Sequence, residues 1–225
     1  MMTESQWTRF ARTFGTDWRK ALRLAAAVGR GTWYALFFRV FRSDVAISLP
    51  FIAYVPVRIV GPGRVRIGPY CSVHRNVQRS LTVVTLSPSA EVWIGARCSL
   101  GGLTIRCRNR VVLGERAMTA HSLVQDTVLF SDSPRGSRGS AAAFSAPIDV
   151  GQNAWLGGYT VVLAGTTVGD DSVLAWGAAC FDTVVPPASL ASGSPATRTI
   201  PVGRLQEFGR TVRELSASRS ARLAL

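Results

Sequence analysis

Between Val150 and Cys180 the chain repeats itself every six residues. Val150, Leu156, Val162, Val168, Leu174 and Cys180 hold one aliphatic or thiol position. Gly151, Gly157, Leu163, Gly169, Ala175 and Phe181 follow them, and most of these are Gly or small. Four residues after each aliphatic position come Ala154, Thr160, Thr166, Ser172, Ala178 and Val184, all small or β-branched. An antiparallel pattern has period two and irregular turns, and does not hold such a phase. A hexad matches one flat side of a triangular coil, and three hexads close the coil. Coils then stack by parallel pairing. The aliphatic residue points inward, the small residue fills a neighbouring inward position, and the Gly eases the corner.

Earlier segments carry the same theme with slips. Ile67-Gly68 leads to Cys71, Val73 and Val77; Ile94-Gly95 leads to Cys98, Leu100-Gly101 and Thr104; Leu113-Gly114 leads to Ala117. Ile94 and Leu113 stand 19 residues apart, one more than three hexads, which predicts a bulge or one-residue insertion. Asp126 to Ala146 is rich in Ser, Gly and Ala and has no period, so it is expected as a loop thrown out of the solenoid. Val184-Val185-Pro186-Pro187 is expected to end the solenoid. The expectation is an all-β solenoid over residues 46–200, with about seven to nine coils by the hexad count.

The flanks differ. In residues 1–45, Trp7, Phe10, Phe14, Trp18, Leu22 and Ala25 recur every three or four residues with arginines between them, a helical spacing. Gly29 and Gly31 punctuate this segment before an aromatic run from Trp33 to Phe41. Such a segment serves as a helical lid on the main domain or as a basic amphipathic contact with a membrane surface. Residues 201–225 are expected to form a C-terminal helix and tail, with Leu205, Phe208, Val212 and Leu215 on one side.

Composition narrows the function classes. Of 225 residues 47% are apolar and 17% charged, which excludes disorder over most of the chain. The net charge of +13 creates a field suited to phosphates, nucleotides, acyl-CoA or anionic lipid headgroups. Lys20 is the one lysine among 26 basic residues; the arginines are dispersed and belong to no recognised nucleic-acid module. Cys71, Cys98, Cys107 and Cys180 show no CxxC spacing and suit buried thiols in a reducing compartment. With no signal-peptide pattern and no transmembrane run, the expected location is cytoplasmic, with peripheral contact at the inner face of the membrane.

The stretch Ile148–Ile200 resembles the C-terminal half of the hexapeptide-repeat acyltransferases, nearest to the O-acetyltransferases of sugars, capsule and lipopolysaccharide. The resemblance implies a left-handed parallel β-helix, a homotrimer, acetyl-CoA (or another acyl-CoA) in the groove between solenoids, and transfer to a saccharide or glycolipid hydroxyl. Trp155 matches the aromatic of the family's NxWIG unit, and Gly158 the small residue whose backbone contacts CoA. Trp176 replaces a small residue along the pantetheine path, so its indole either blocks that path or stacks on the cofactor. Gly193-Ser194-Pro195-Ala196 matches the family tail, and Arg198, one position late, is suited to a CoA phosphate or remains a solvated charge.

The family's loop histidine takes the proton from the acceptor hydroxyl. Neither Asp126 nor Asp132 is followed by that histidine. His121, five residues before Asp126, is the candidate base, with Asp126 as candidate orienter of its ring. His74, Asp126 and Asp132 are the other candidate bases, and His121 as a structural residue stands beside them. Two histidines do not suffice for a zinc site of three shared between subunits, so no metal is expected. A catalytically silent trimeric scaffold is the alternative function.

Overall fold

A computed structural model describes residues 18–75, 80–131 and 141–204. They form a parallel β-solenoid of about six turns with three faces. Face A stacks β1 (Val45–Ile47), β4 (Arg64–Ile67), β7 (Glu91–Ile94), β9 (Arg110–Leu113), β13 (Ile148–Val150), β16 (Thr167–Val168) and β19 (Val184–Val185). Face B stacks β2 (Phe51–Ala53), β5 (Cys71–His74), the first halves of β8 (Ser99–Cys107) and β10 (Met118–Gln125), β14 (Trp155–Leu156), β17 (Val173–Leu174) and β20 (Ser189–Ser192). Face C stacks β3 (Val57–Val60), β6 (Leu81–Thr85), the second halves of β8 and β10, β15 (Val161–Leu163) and β18 (Ala179–Cys180).

One interior column shows why the hexads end up here. Ile47, Ile67, Ile94, Leu113, Val150, Val168 and Val185 pair in register down face A. From Ile67 to Val185 each is at most 2% exposed. Burial of each such side chain contributes roughly 1.5–3 kcal/mol. Only the step from Val150 to Val168 spans three whole hexads. Ile94 and Leu113 are direct partners, so the extra residue between them is absorbed at a corner. The steps from Ile67 to Ile94 and from Leu113 to Val150 are longer, because six residues separate β5 from β6 and the chain leaves the coil again after β10. Those excursions reduce the expected seven to nine coils to about six. The phase also slips at its end: Val184 is 73% exposed and Val185 takes the inward place. The double proline does not end the solenoid, since β20 continues face B beyond it.

The Gly after the aliphatic residue has a different role from the one its position suggests. At the corner from face A to face B, positive φ falls two residues later, on Tyr70, Arg97, Arg116, Asn153, Asp171 and Ala188, a stacked column of non-glycine residues. The glycine is required by close approach. A Cβ on Gly95 would lie 2.6 Å from the backbone nitrogen of Glu115, and one on Gly114 the same distance from that of Gln152.

The described ends of the stretch after Asp126 are regular. It begins and ends as an antiparallel hairpin, β11 (Thr127–Ser131) on β12 (Ala141–Ser145). The run Thr127–Ser131 pairs with the Ala-rich run Ala141–Ser145 once the chain has left the solenoid. At the C-terminal end, β21 (Arg198–Pro201) folds back antiparallel on β20. A helical turn starts at residues 202–204; the rest of the expected C-terminal helix lies outside the described residues.

Helix α1 (Trp18–Phe41) packs on β1 and β2 and covers the first coil, whose edge would otherwise be open. Residues 1–17 of the expected helical segment lie outside the described residues. Gly29 and Gly31 do not interrupt the helix. Ala27, Gly31, Ala35 and Phe38 form its buried stripe, and a Cβ on Gly31 would sit 1.8 Å from the Phe51 carbonyl oxygen. Arg30 Nη1 donates to the carbonyls of Ala53 and Tyr54 at 3.2 and 3.0 Å. No helix among the described residues is long and apolar enough to cross a membrane. All four cysteines are buried and free. Burial pushes the Cys180 thiol up to about 11 and raises that of Cys107, which the adjacent Asp126 carboxylate raises further.

Gly114→Ala is expected to lower unfolding free energy by about 1–3 kcal/mol, because backbone rather than a movable side chain meets the new methyl. Urea denaturation measures it. Unchanged stability contradicts the close stacking.

Candidate functional site

The corner between faces B and C carries the candidate chemistry. His121 interrupts β10 with φ of 63°, opposite Gly102 at 65° in the coil before. The next coils place Tyr159 and Gly177 at positive φ on the same edge. The Tyr159 N–H donates to the His121 carbonyl at 2.9 Å, and the Gly177 N–H to that of Gly158 at 2.8 Å. Side chains follow the backbone. The His121 and Tyr159 rings are 4.2 Å apart between centroids, and the Tyr159 and Trp176 rings 5.1 Å apart. Beneath them, buried Thr160 Oγ1 donates to Ser122 Oγ at 2.9 Å, which ties the two coils together at this corner.

Sequence reasoning singles out His121 and Trp176 but not Tyr159, the ring that joins them. Its signal is faint: the stretch from Thr119 to Leu123 holds one residue fewer than the regular corner from Leu156 to Val161, so His121 falls beside Tyr159 out of hexad count.

Gly158 lies directly under Trp176. A Cβ there would come within 2.3 Å of the indole, and the indole itself is 74% exposed. The Gly158 surface is thus covered by this chain's own side chain, and Trp176 is the surface a ligand on this edge meets. Arg198 lies two strands further along face B than Trp176's coil, exposed, paired with Ser192 beside the last corner. At one strand spacing per coil, the line from His121 to Arg198 is on the order of 20 Å long.

Asp126 is elsewhere. The face C part of β10, Ser122 to Gln125, separates it from His121 by roughly 15 Å of extended chain. Its fully buried carboxylate accepts the N–H of Arg108 at 2.7 Å and of Asn109 at 2.6 Å, the Thr127 hydroxyl at 2.9 Å, and the Cys107 thiol at 3.4 Å. Its own carbonyl accepts the Ala146 N–H at 3.1 Å and closes the hairpin root. The structure therefore does not bring the Asp126 carboxylate to the His121 ring. Asp132 lies outside the described residues.

His74 ends β5 on the same edge, two coils from His121 across Gly101. It stacks on Tyr54 at 5.3 Å and shares a 2.8 Å hydrogen bond with Ser72 Oγ. Burial lowers its pKa and favours the neutral ring.

Between the aromatic edge and the hairpin, face C presents Leu123, Gln125, Val161, Leu163 and Ala179, half-buried and nearly flat. The hairpin bounds this strip on the far side, where Phe144 meets Phe181 edge to face at 5.8 Å. The result is a mainly apolar strip with His121 at one edge and the hairpin root at the other. A separate concavity of about 620 Å³ lies on face A around Trp93 and Arg110, away from either histidine.

Comparison with known proteins agrees with this architecture. No family model matches the chain. A Staphylococcus aureus protein named "Putative acetyltransferase" is 43% identical over 51 residues, 23% of this chain and 25% of that protein. A Schizosaccharomyces pombe protein of the same description is 42% identical over 59 residues, 26% and 28% of the two chains. The chain thus spans about a quarter of the length of the curated relatives it matches. Among solved structures, a point mutant of AntD, an N-acyltransferase from Bacillus cereus in complex with dTDP and coenzyme A, superposes with a TM-score of 0.51 at 10% identity, covering 74% of this chain and 90% of its own. The chain shares its β-solenoid fold with that N-acyltransferase. The resemblance carried by the hexads is borne out at that level.

Asp126→Ala is expected to cost about 1–3 kcal/mol, because it leaves the part-buried backbone N–H groups of Arg108 and Asn109 without their acceptor. Urea denaturation measures this, and a variant as stable as the parent returns Asp126 to the list of candidate bases.

Proposed function

We propose that the chain is an acyl-CoA-dependent O-acyltransferase that moves an acetyl group to a saccharide or glycolipid hydroxyl, as a homotrimer in the cytoplasm. The observation that carries this reading is the single edge on which His121, Tyr159, Trp176 and the Arg198 strand follow one another. A base stands at one end, a guanidinium at the other, and an exposed indole between them. That order suits a long donor with a thioester at one end and phosphates toward the other. The matched acetyltransferase names and the CoA in the AntD complex support the same donor class.

In this reading the acyl-CoA lies along the edge with its thioester beside His121. A neutral His121 ring nitrogen takes the acceptor hydroxyl proton as the oxygen attacks the thioester carbonyl. The new C–O bond forms, the C–S bond breaks, and the departing sulfur takes the proton from the imidazolium to leave CoA as a thiol. The thioester is already activated, so no covalent enzyme intermediate is required. Asp126 acts at the root of the hairpin and only indirectly on the site.

The second reading, a silent solenoid, draws on Trp176, whose indole covers the Gly158 surface where the resemblance puts CoA. Calorimetric titration with acetyl-CoA separates the two: saturable heat is expected, and no heat selects the scaffold. Sedimentation is expected to show a trimer, and a stable monomer removes a groove shared between subunits. Paired hydroxyl and amino sugars, with mass-spectrometric readout, separate O- from N-acylation.

His121→Ala is expected to lower kcat by about 10²–10⁴-fold with KM for acyl-CoA nearly unchanged, the pattern of an interaction lost in the transition state. His74→Ala is expected to turn over at close to the parent rate. Full turnover in His121→Ala assigns the base elsewhere.

A further inference from the structure

The outward face of α1 is apolar where solvent-facing helices are ordinarily polar. At about 100° per residue, Trp18, Leu22, Trp33, Leu36 and Val40 fall on one stripe, opposite the buried stripe of Ala27, Gly31, Ala35 and Phe38. These five side chains are between 53% and 73% exposed, and Phe37 at the stripe's edge is 38% exposed. Nothing in the fold of the described residues covers them. Trp33 and Phe37 lie 6.1 Å apart, and Phe37 and Phe41 5.0 Å, so the aromatic part is continuous.

The flanks of the stripe carry one sign of charge. Exposed Arg19 and Arg23 border it on one side and exposed Arg39 on the other. From Trp18 to Ser43 the chain has no Asp or Glu. This decides between occupants. A second copy docking through the same stripe would bring cation against cation, since a two-fold interface repeats its own patch. A soluble anion satisfies the arginines but leaves the indoles and leucines in water. A surface that is apolar below and anionic above satisfies both.

We propose that α1 is an in-plane membrane anchor: it lies in the headgroup layer of an anionic bilayer, with Trp18, Leu22, Trp33, Leu36 and Val40 in the acyl boundary and Arg19, Arg23 and Arg39 on lipid phosphates. The helix keeps its other stripe on β1 and β2, so the first coil of the solenoid faces the lipid surface. Arg30 takes no part in lipid contact, because its guanidinium is engaged by the carbonyls of Ala53 and Tyr54.

The test uses the full chain and co-sedimentation with vesicles of phosphatidylcholine alone or mixed with phosphatidylglycerol. Binding to the mixed vesicles is expected to be tighter by roughly a hundredfold, at about 1 kcal/mol for each of three cations, and to weaken as salt is raised. Leu36→Glu/Val40→Glu is expected to abolish binding without lowering the unfolding midpoint, because both side chains are exposed. Removal of residues 1–17 is expected to leave binding in place. No binding by the full chain, equal binding to both vesicle types, binding that survives Leu36→Glu/Val40→Glu, or binding lost with residues 1–17 overturns the proposal. So does dissociation of an oligomer by the glutamate pair, which assigns the stripe to a second copy. The readout is independent of acyl transfer, so it stands or falls apart from the enzymatic reading.

Discussion

Successive coils of this solenoid lie so close at the A-to-B corner that no Cβ fits between them. Gly68, Gly95, Gly114, Gly151 and Gly169 all meet backbone of the next coil at 2.4–2.7 Å when a Cβ is added. That approach lets each face pair its strands at one hydrogen-bonded spacing. It also brings the interior aliphatic residues into direct contact down a single column. The residues two positions later pay in backbone conformation, with a stack of left-handed non-glycine residues held by hydrogen bonds from coil to coil. Tight stacking, rather than turn flexibility, is what the repeated glycine secures.

A solenoid built this way turns sequence distance into position on a rail. Residues one coil apart are neighbours on the same edge, whatever lies between them in the chain. His121 and Tyr159 are separated by the whole hairpin, yet their ring centroids lie 4.2 Å apart. The hairpin leaves and re-enters at one point, where Asp126 accepts backbone donors from the preceding coil and its carbonyl receives the returning strand. The coil beyond the excursion therefore resumes the register of the coil before it. The Asp126 carboxylate is engaged at this root by Arg108, Asn109, Thr127 and Cys107.

The solenoid and its interior were legible because the hexads from Val150 to Cys180 keep strict phase, and only stacked flat sides demand that period. Coil number was less legible, since residues that leave the coil count toward length but not toward turns. The hairpin was hidden because Ser, Gly and Ala mask a strand pattern that only its partner makes visible. In the site, His121 and Trp176 were visible as departures from an expected motif, whereas Tyr159 was not: it sits in phase within its own hexads, and the His121 corner, one residue shorter, is what takes the pair out of sequence alignment. The pairing of His121 with Asp126 was suggested by proximity in sequence, and it fails because a flat face of extended chain carries those five residues from one corner to the next.

The two ends of the solenoid meet the open-edge problem in different ways, and this gives the molecule a direction. At the first coil a helix covers the edge, and its small stripe is the condition for sitting on strand backbone, as the contact of Gly31 with the Phe51 carbonyl shows. Burying the small side chains leaves the large ones, Trp33, Leu36 and Val40, on the outer surface. The apolar exterior of α1 is thus the counterpart of its close seat. At the last coil an antiparallel strand covers the edge and carries Arg198 with it. The aromatic edge runs between these ends, with His121 nearer the helix and Trp176 nearer the strand. Any long ligand on that edge therefore has one orientation relative to the helix, set by how the two ends of the solenoid are closed.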